Sequence, residues 1–210
     1  MIYNFVRAIA RVLFYFLGLK HEGLHNIPKE GALIIASNHL SYYDPFVIAL
    51  LLDRPVHFMA KSEFFENKLL GQFLTALNAF PVKRGSADKR AIKEALKILK
   101  QGNILGIFPE GTRNNLGTEV NAQTGTALLS IKTDTPVIPV ACIGTKRHIP
   151  NGWVIPLMVI FGEPIKYDKD KDKINSKILE AFSQEIANEI NLILINKEGF
   201  KAQNTNCYDR

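Results

Sequence analysis

A histidine and an aspartate five positions apart carry the first recognisable chemistry in this sequence. They are His39 and Asp44, in the stretch Asn-His-Leu-Ser-Tyr-Tyr-Asp. Histidine titrates near neutral pH, so it can accept a proton from a hydroxyl as that hydroxyl attacks a carbonyl. A carboxylate bonded to the far ring nitrogen fixes the tautomer and stabilises the imidazolium. Asp44 also precedes Pro45 and an apolar run, which is the pattern of a helix N-cap, and the two roles are compatible.

The nucleophile for such a pair need not belong to the protein. The sequence contains no G-x-S-x-G elbow, so the attacking oxygen can be an alcohol of the substrate. It also contains no Walker phosphate loop, dinucleotide glycine fingerprint, zinc-type Cys/His spacing or aromatic-interleaved nucleic-acid motif. Cys142 and Cys207 are the two cysteines, and their separation fits a reducing compartment better than a disulfide framework.

A second group of polar residues forms a Pro-Glu-Gly-Thr-Arg turn after an apolar run. Gly111 lets the backbone approach a ligand closely, and Arg113 can hold a phosphate through a two-pronged contact. Glu110 could instead form a purely structural ion pair with Arg113 or a nearby lysine. Backbone N–H groups near Gly111, or at the start of the helix after Asp44, are candidate donors to an oxyanion.

Basic residues predominate in the middle of the chain. The whole sequence has a formal net charge of +6, and residues 61–100 contain nine Lys or Arg against four Asp or Glu. This excess indicates an acidic partner, such as anionic lipid headgroups, an acidic carrier protein or a phosphorylated substrate. The pair Lys83-Arg84 could contact the same phosphate as Arg113 or could lie on a solvated surface.

The elements that position these residues alternate between short apolar strands and amphipathic helices, which predicts one α/β domain with a mostly parallel sheet. Strands are expected at 32–37, 56–60, 104–108, 137–141 and 154–161. The clearest helix spans 87–101, with Ser86 as its N-cap and Gly102 past its end, and a long helix runs from about 174 to 196. Polar side chains follow four of the strands, so we expect one composite site at their carboxyl ends.

The first nineteen residues are apolar but include Arg7 and Arg11. A spanning helix needs about 20 mostly apolar residues, so this segment is better suited to lie in a membrane interface. It also lacks a small-residue cleavage site of the kind that follows a signal peptide. The alternative is an amphipathic helix packed on the protein's own core.

Taken together, the motifs resemble those of the glycerolipid acyltransferase family, and most closely its 1-acylglycerol-3-phosphate acyltransferases. The resemblance rests on N-H-x-S-x-x-D at residues 38–44, a K-x-E-x-F-like segment from Lys61, a P-V-x-R-like segment ending at Arg84, and F-P-E-G-T-R at residues 108–113. It implies that His39 is the base and Asp44 its partner. It also implies that substrate is bound by Lys61, Arg84, Glu110, Gly111, Thr112 and Arg113.

The same resemblance implies transfer of a fatty acyl group from acyl-CoA or acyl-carrier protein to the 2-hydroxyl of lysophosphatidic acid, without a metal or resident cofactor. The expected organisation is an N-terminal interfacial helix at 1–22, an acyltransferase domain at 23–197 and a disordered tail at 198–210. The expected location is the cytoplasmic face of the cell membrane, with the protein peripheral or monotopic on an anionic surface. Alternatives are acylation of glycerol-3-phosphate or another lysophospholipid, and a membrane-surface binding protein whose site has decayed.

The sequence departs from the family pattern next to the third motif. Many members carry serine after that motif and an F-K-x-G segment further on, whereas this chain has Asn114 and the segment Ala-Gln-Thr-Gly at 122–125. Gln123 therefore stands where a lysine is expected. The reaction class is better determined by the sequence than the identity of the acceptor headgroup.

Overall fold

A seven-stranded sheet with helices on both faces forms the centre of the computed structural model, which confirms the predicted α/β class. The structure describes residues 9, 11–12, 14, 18–83, 88–113, 119–145, 157–168 and 174–205, with side chains described up to 197. The described strands are β1 (Lys20–Glu22), β2 (Leu33–Ser37), β3 (Val56–Lys61), β4 (Phe80–Val82), β5 (Ile104–Ile107), β6 (Val137–Ile143) and β7 (Met158–Phe161). The helices are α1, seen at residues 9, 11, 12 and 14, then α2 (Asp44–Leu51), α3 (Lys68–Ala76), α4 (Lys89–Lys100), α5 (Gly125–Thr133) and α6 (Ser176–Thr205).

The strand order brings the motif-bearing strands together. It is β1-β7-β6-β2-β5-β3-β4, and the strands from β6 to β4 run parallel to one another. Strand β7 runs antiparallel to β6 and pairs in parallel with β1. The carboxyl ends of β2, β5 and β3 therefore meet at one edge of the sheet, where ligand sites of open α/β sheets form.

Side-chain alternation along the central strands divides the core into two layers. In β2, Ile34 faces the layer that contains α4, α5 and α6, whereas Leu33 and Ile35 face the layer that contains α2. Buried apolar side chains point to both faces because each face is covered by helices, as expected for a parallel sheet. This two-sided burial fixes the strand register and hence the positions of the residues that follow each strand.

Several boundaries differ from the sequence-based expectation. The edge strands β1 and β4 were not predicted. Strand β1 (Lys20–Glu22) occupies the last three residues of the segment 1–22, which was expected to be helix. Helix α4 is capped by Asp88, whose carboxylate accepts from Arg90 N and Ala91 N, while the predicted cap Ser86 lies outside the described residues. Helix α6 continues to Thr205 instead of ending near residue 196.

Helix α1 contacts the rest of the chain at both of its described inward positions. The Arg11 guanidinium donates to the carbonyl of Leu50, at the end of α2, and lies 3.0 Å from Asp53 Oδ1. The Phe14 ring packs against the core layer beneath α2. Ile9 and Val12 are more than half exposed. Within the described part of the chain, no helix has the length and apolarity needed to cross a bilayer.

Candidate active site

His39 and Asp44 lie in contact at the carboxyl end of β2. His39 Nδ1 is 2.9 Å from Asp44 Oδ2, and both side chains are buried. An ionised carboxylate can only accept, so Nδ1 carries the proton in this contact, and in the neutral tautomer the lone pair is on Nε2. The structure thus places His39 and Asp44 in the hydrogen-bonded contact that a base and its orienting carboxylate require; their catalytic roles stay a prediction.

The Asp44 carboxylate also shapes the turn that carries the histidine. Its Oδ2 accepts from the backbone N–H groups of Leu40 and Ser41, each at 2.7 Å. Asp44 is the first residue of α2 and gives no side-chain cap to that helix, so the expected N-cap role is wrong. Because the turn comes before the helix, the carboxylate stabilises the turn instead. Because Asp44 is in the first turn of α2, its negative charge still interacts favourably with the helix dipole.

An aromatic stack holds the imidazole plane. The rings of His39 and Phe108 are 3.9 Å apart between centroids and inclined by 17°. Phe58 also stacks on Phe108, with ring centroids 5.8 Å apart. Gly106 makes this stack possible, because a Cβ there would lie 2.2 Å from the Phe58 ring. Phe108 was part of the recognised motif, but its role against the histidine could not be read from spacing.

Asn38 fastens the end of β2 to β6. Its amide donates to the carbonyl of Cys142 at 2.9 Å and accepts from the N–H of the same residue at 2.7 Å. The side chain thereby imitates a backbone pairing just before His39. Burial, with a further contribution from the Asp44 charge, raises the pKa of the Cys142 thiol well above its usual value. This cysteine is a packed, neutral core residue.

The Pro-Glu-Gly-Thr-Arg turn meets the histidine through its glutamate. Glu110 Oε1 accepts from the backbone N–H of His39 at 3.2 Å. Gly111 adopts a positive φ of 69°, and its N–H donates to the carbonyl of Phe108 at 3.0 Å. That N–H is therefore not a candidate oxyanion donor, and neither are those of Leu40 and Ser41, which bind Asp44.

Arg113 is positioned by an aromatic ring of the histidine motif. Its guanidinium carbon lies 3.9 Å above the centroid of the Tyr42 ring, a cation–π contact. Tyr42 in turn meets Phe64 edge-on at 6.3 Å. This contact places the guanidinium beside the turn that holds His39. Thr112, which precedes Arg113 in the chain, is exposed. In the sequence, Tyr42 is a variable position of the N-H-x-S-x-x-D motif, so its contact with Arg113 could not be predicted.

The remaining predicted substrate-binding residues are less tightly grouped. Lys61 ends β3 and forms an ion pair with Glu63 at 2.9 Å, with both side chains about half exposed. The Lys61 ammonium, through its hydrogen bond, lowers the pKa of Glu63 to about 2. Arg84 lies outside the described residues. The backbone N–H of its neighbour Lys83 donates to Asp88 at 2.9 Å.

Gln123, where the sequence departs from the family pattern, packs against the Pro-Glu-Gly-Thr-Arg turn. Its backbone N–H donates to the carbonyl of Pro109 at 3.0 Å. Its side-chain amide covers Gly111, where an added Cβ would come within 3.0 Å of Nε2. The substitution therefore places a neutral amide against the turn that carries Glu110 and Arg113.

Comparison with known proteins agrees with this geometry. Residues 18–143 match the profile of the family described as Acyltransferase. The chain is 34% identical over 152 residues to the 1-acyl-sn-glycerol-3-phosphate acyltransferase of Bacillus subtilis, covering 70% of this chain and 74% of that one. It is 31% identical over 146 residues to the protein of the same name from Borreliella burgdorferi, of whose length it spans 58%.

A solved structure shares the fold. The crystal structure of the 1-acyl-sn-glycerophosphate acyltransferase PlsC from Thermotoga maritima superimposes with a TM-score of 0.68 at 26% identity, covering 90% of this chain and 78% of that one. The matched segment 18–143 contains the histidine–aspartate pair and the whole Pro-Glu-Gly-Thr-Arg turn. This chain belongs to the acyltransferase family.

Proposed function

We propose that this protein transfers a fatty acyl group from an acyl thioester to the 2-hydroxyl of a 1-acylglycerol-3-phosphate, giving phosphatidic acid. The observation that carries the proposal is the buried contact of His39 Nδ1 with Asp44 Oδ2 at 2.9 Å. The names of the two bacterial relatives supply the acceptor. No serine or cysteine is assigned a covalent role.

The reaction is a direct transfer within a ternary complex. His39 Nε2 takes the proton of the acceptor hydroxyl as its oxygen bonds to the thioester carbonyl carbon. Asp44 stabilises the imidazolium that results. The tetrahedral oxyanion then collapses, its carbon–sulfur bond breaks, and the thiolate leaves with the proton from His39. One ester forms, one thioester breaks, and the base returns to its starting state.

Arg113 is the residue best placed to bind the acceptor's phosphate. A guanidinium can bind phosphate through two parallel hydrogen bonds. A guanidinium in a cation–π contact, as Arg113 is with Tyr42, can still donate its N–H groups to a phosphate. Lys61 can add a second charge if it leaves Glu63, and Arg84 follows the neighbouring strand β4. Gln123 beside Gly111 favours testing glycerol-3-phosphate and other lysophospholipids as alternative acceptors.

The lipid acceptor leads us to place the protein on the cytoplasmic face of the cell membrane, held peripherally or monotopically at an anionic surface. The net charge of +6 supports attraction to such a surface. The exposed side chains of Ile9 and Val12 support contact through α1. Acyl-CoA and acyl-carrier protein are both suitable donors, and the reaction uses no metal or resident cofactor.

The test is an acylation assay with purified protein. Labelled acyl-CoA or acyl-carrier protein is offered with 1-acylglycerol-3-phosphate, glycerol-3-phosphate or another lysophospholipid, and the product lipid is identified. We expect phosphatidic acid from the first acceptor. His39→Ala should lower kcat by roughly 10²–10⁴-fold, the range for loss of a general base.

His25→Ala is the matched control, because His25 is an exposed histidine on the Leu24–Asn26 turn. It should turn over like the wild-type protein. Near-normal activity of His39→Ala would disprove the assigned base. Formation of labelled product from a different acceptor alone would replace the proposed substrate while keeping the reaction class.

A further inference from the structure

Helix α3 faces outward with its apolar side. Leu69, Leu70 and Phe73 are 80%, 41% and 45% exposed, and we call these three side chains the α3 patch. The buried residue of the helix is Gly71, where an added Cβ would lie 3.0 Å from the carbonyl oxygen of Phe65. The helix therefore approaches the protein closely at this glycine, while the three side chains of the α3 patch project away. Clustered exposed apolar side chains of this kind mark an interaction surface.

The α3 patch is connected to the entrance of the active site. Helix α3 packs against the short 3₁₀-helix Ser62–Phe65, and Phe64 of that turn meets Tyr42 edge-on. The Arg113 guanidinium lies over the ring of the same Tyr42. Tyr43 and Phe46, next along the chain, are 48% and 40% exposed. An apolar surface thus extends from α3 to the turn that holds His39.

The excess of basic side chains lies on α4, the next helix along the chain. Lys68, at the start of α3, lines a shallow groove with Gly71, on the side of α3 that faces the protein. Helix α4, which packs on the adjacent edge strand β4, carries five basic residues against one acidic residue, Glu94. An apolar patch beside excess positive charge complements a bilayer with anionic headgroups, because the apolar side chains enter the interface while the lysines meet phosphates.

We propose that the α3 patch inserts into the surface of an anionic bilayer and holds the mouth of the active site against the lipid. This rests on the proposed function, since it supplies the route by which a lipid acceptor reaches Arg113 and His39. A second copy of the chain is a poorer occupant, because two molecules that each carry a charge of +6 repel one another. The patch is a second contact, separate from α1.

Vesicle binding of the full chain tests the proposal without donor or acceptor present. The double variant Leu69→Asp/Phe73→Asp is compared with Leu192→Asp/Ile195→Asp, which alters two apolar side chains of α6 that are 49% and 59% exposed. Flotation uses vesicles of phosphatidylcholine alone or with phosphatidylglycerol. Moving a Leu and a Phe side chain out of an apolar phase costs more than a factor of ten, so we expect at least tenfold weaker binding for the α3 variant only.

A less disruptive variant keeps the test decisive if the double substitution perturbs folding. The fluorescence emission of the Leu69→Trp variant should shift to shorter wavelength on anionic vesicles, while the emission of the Leu192→Trp variant should not shift. Equal binding of the α3 variant and the wild type, or no binding of the wild type to anionic vesicles, would overturn the proposal. So would an oligomer that the α3 substitutions dissociate while vesicle binding persists.

These outcomes are independent of the acylation assay. Loss of vesicle binding in the α3 variant combined with no acyl transfer by the wild type would leave the docking surface standing and remove the proposed function. Normal acyl transfer combined with unaltered vesicle binding of the α3 variant would do the reverse.

Discussion

In the proposed mechanism, Asp44 supports His39 through both its charge and its hydrogen bonds, and one substitution separates the two contributions. A single oxygen, Oδ2, accepts from His39 Nδ1, Leu40 N and Ser41 N. The amide oxygen of an asparagine can accept the same three bonds. Asp44→Asn should therefore keep the turn but lose the charge that stabilises the imidazolium, and kcat should fall by roughly 10²–10⁴-fold.

The measurements are kcat and the urea midpoint of the same preparation. Asp44→Ala is the comparison variant, since it removes the acceptor for Leu40 and Ser41 as well and should lower the midpoint further. If Asp44→Asn retained wild-type kcat, the carboxylate would be a support for the turn alone.

Arg113 should affect acceptor binding more than chemistry. Arg113→Ala removes the guanidinium that we propose binds the phosphate, so we expect a raised KM for the phosphorylated acceptor with a much smaller change in kcat. Tyr42→Leu should act in the same direction but more weakly, because the guanidinium remains and loses only its aromatic support. Tyr42→Phe, which keeps the ring, is the control. Steady-state kinetics over a range of acceptor concentrations give KM and kcat for each variant. An unchanged KM for Arg113→Ala would contradict its assigned role.

At the scale of elements, Asp88 ties helix α4 to strand β4. Its Oδ1 accepts from Arg90 N and Ala91 N, and its Oδ2 accepts from Lys83 N. The bond from Lys83 N, followed by that from Ala91 N, lowers the pKa of Asp88 below its usual 3.8. A lowered folded-state pKa stabilises the fold above the unfolded value, and that contribution disappears as pH falls through the folded value.

Asp88→Ala should therefore lower the urea midpoint at neutral pH. Asp88→Asn should lower it less, since its oxygen can still cap the helix. The difference in unfolding free energy between wild type and Asp88→Asn should shrink as pH falls below 3.8. A difference that stays constant down to acid pH would show that the charge of Asp88 contributes nothing.

At the scale of the whole molecule, α1 has a side that contacts the core and a side that is exposed, and the sequence could not distinguish packing on the core from the proposed membrane contact. Arg11 and Phe14 bind the chain's own core, and deletion of residues 1–19 would remove these contacts together with any membrane contact. Ile9→Asp/Val12→Asp changes only side chains that are 56% and 59% exposed. We expect this variant to fold like the wild type and to leave the membrane fraction more readily.

Cell fractionation and thermal unfolding measure the two effects in parallel. Arg11→Ala is the reciprocal control, since it should lower stability through loss of the carbonyl and Asp53 contacts while keeping the apolar face. Unchanged membrane association of Ile9→Asp/Val12→Asp would leave α1 as a helix of the core alone.

The central strands could be predicted because their signal is local. Short runs of buried apolar residues and a helix at α4 with a regular apolar face appear in the sequence itself. The edge strands β1 and β4 have three residues each and no buried side chain, so no pattern distinguishes them from loop. The end of α6 was misplaced because the backbone continues as helix through Gly199, a residue that usually disfavours it.

The sequence by itself determined the order of the motifs, the strands before the histidine motif, before Lys61 and before the Pro-Glu-Gly-Thr-Arg turn, and the pairing of His39 with Asp44, which are close in the chain. Only the tertiary structure decided which distant residues complete the site. Glu110 reaches the backbone of His39 across 71 positions, and Asn38 reaches Cys142 across 104. These contacts depend on the strand order β6-β2-β5, which aligns the ends of strands far apart in sequence, and local periodicity contains no information about that order.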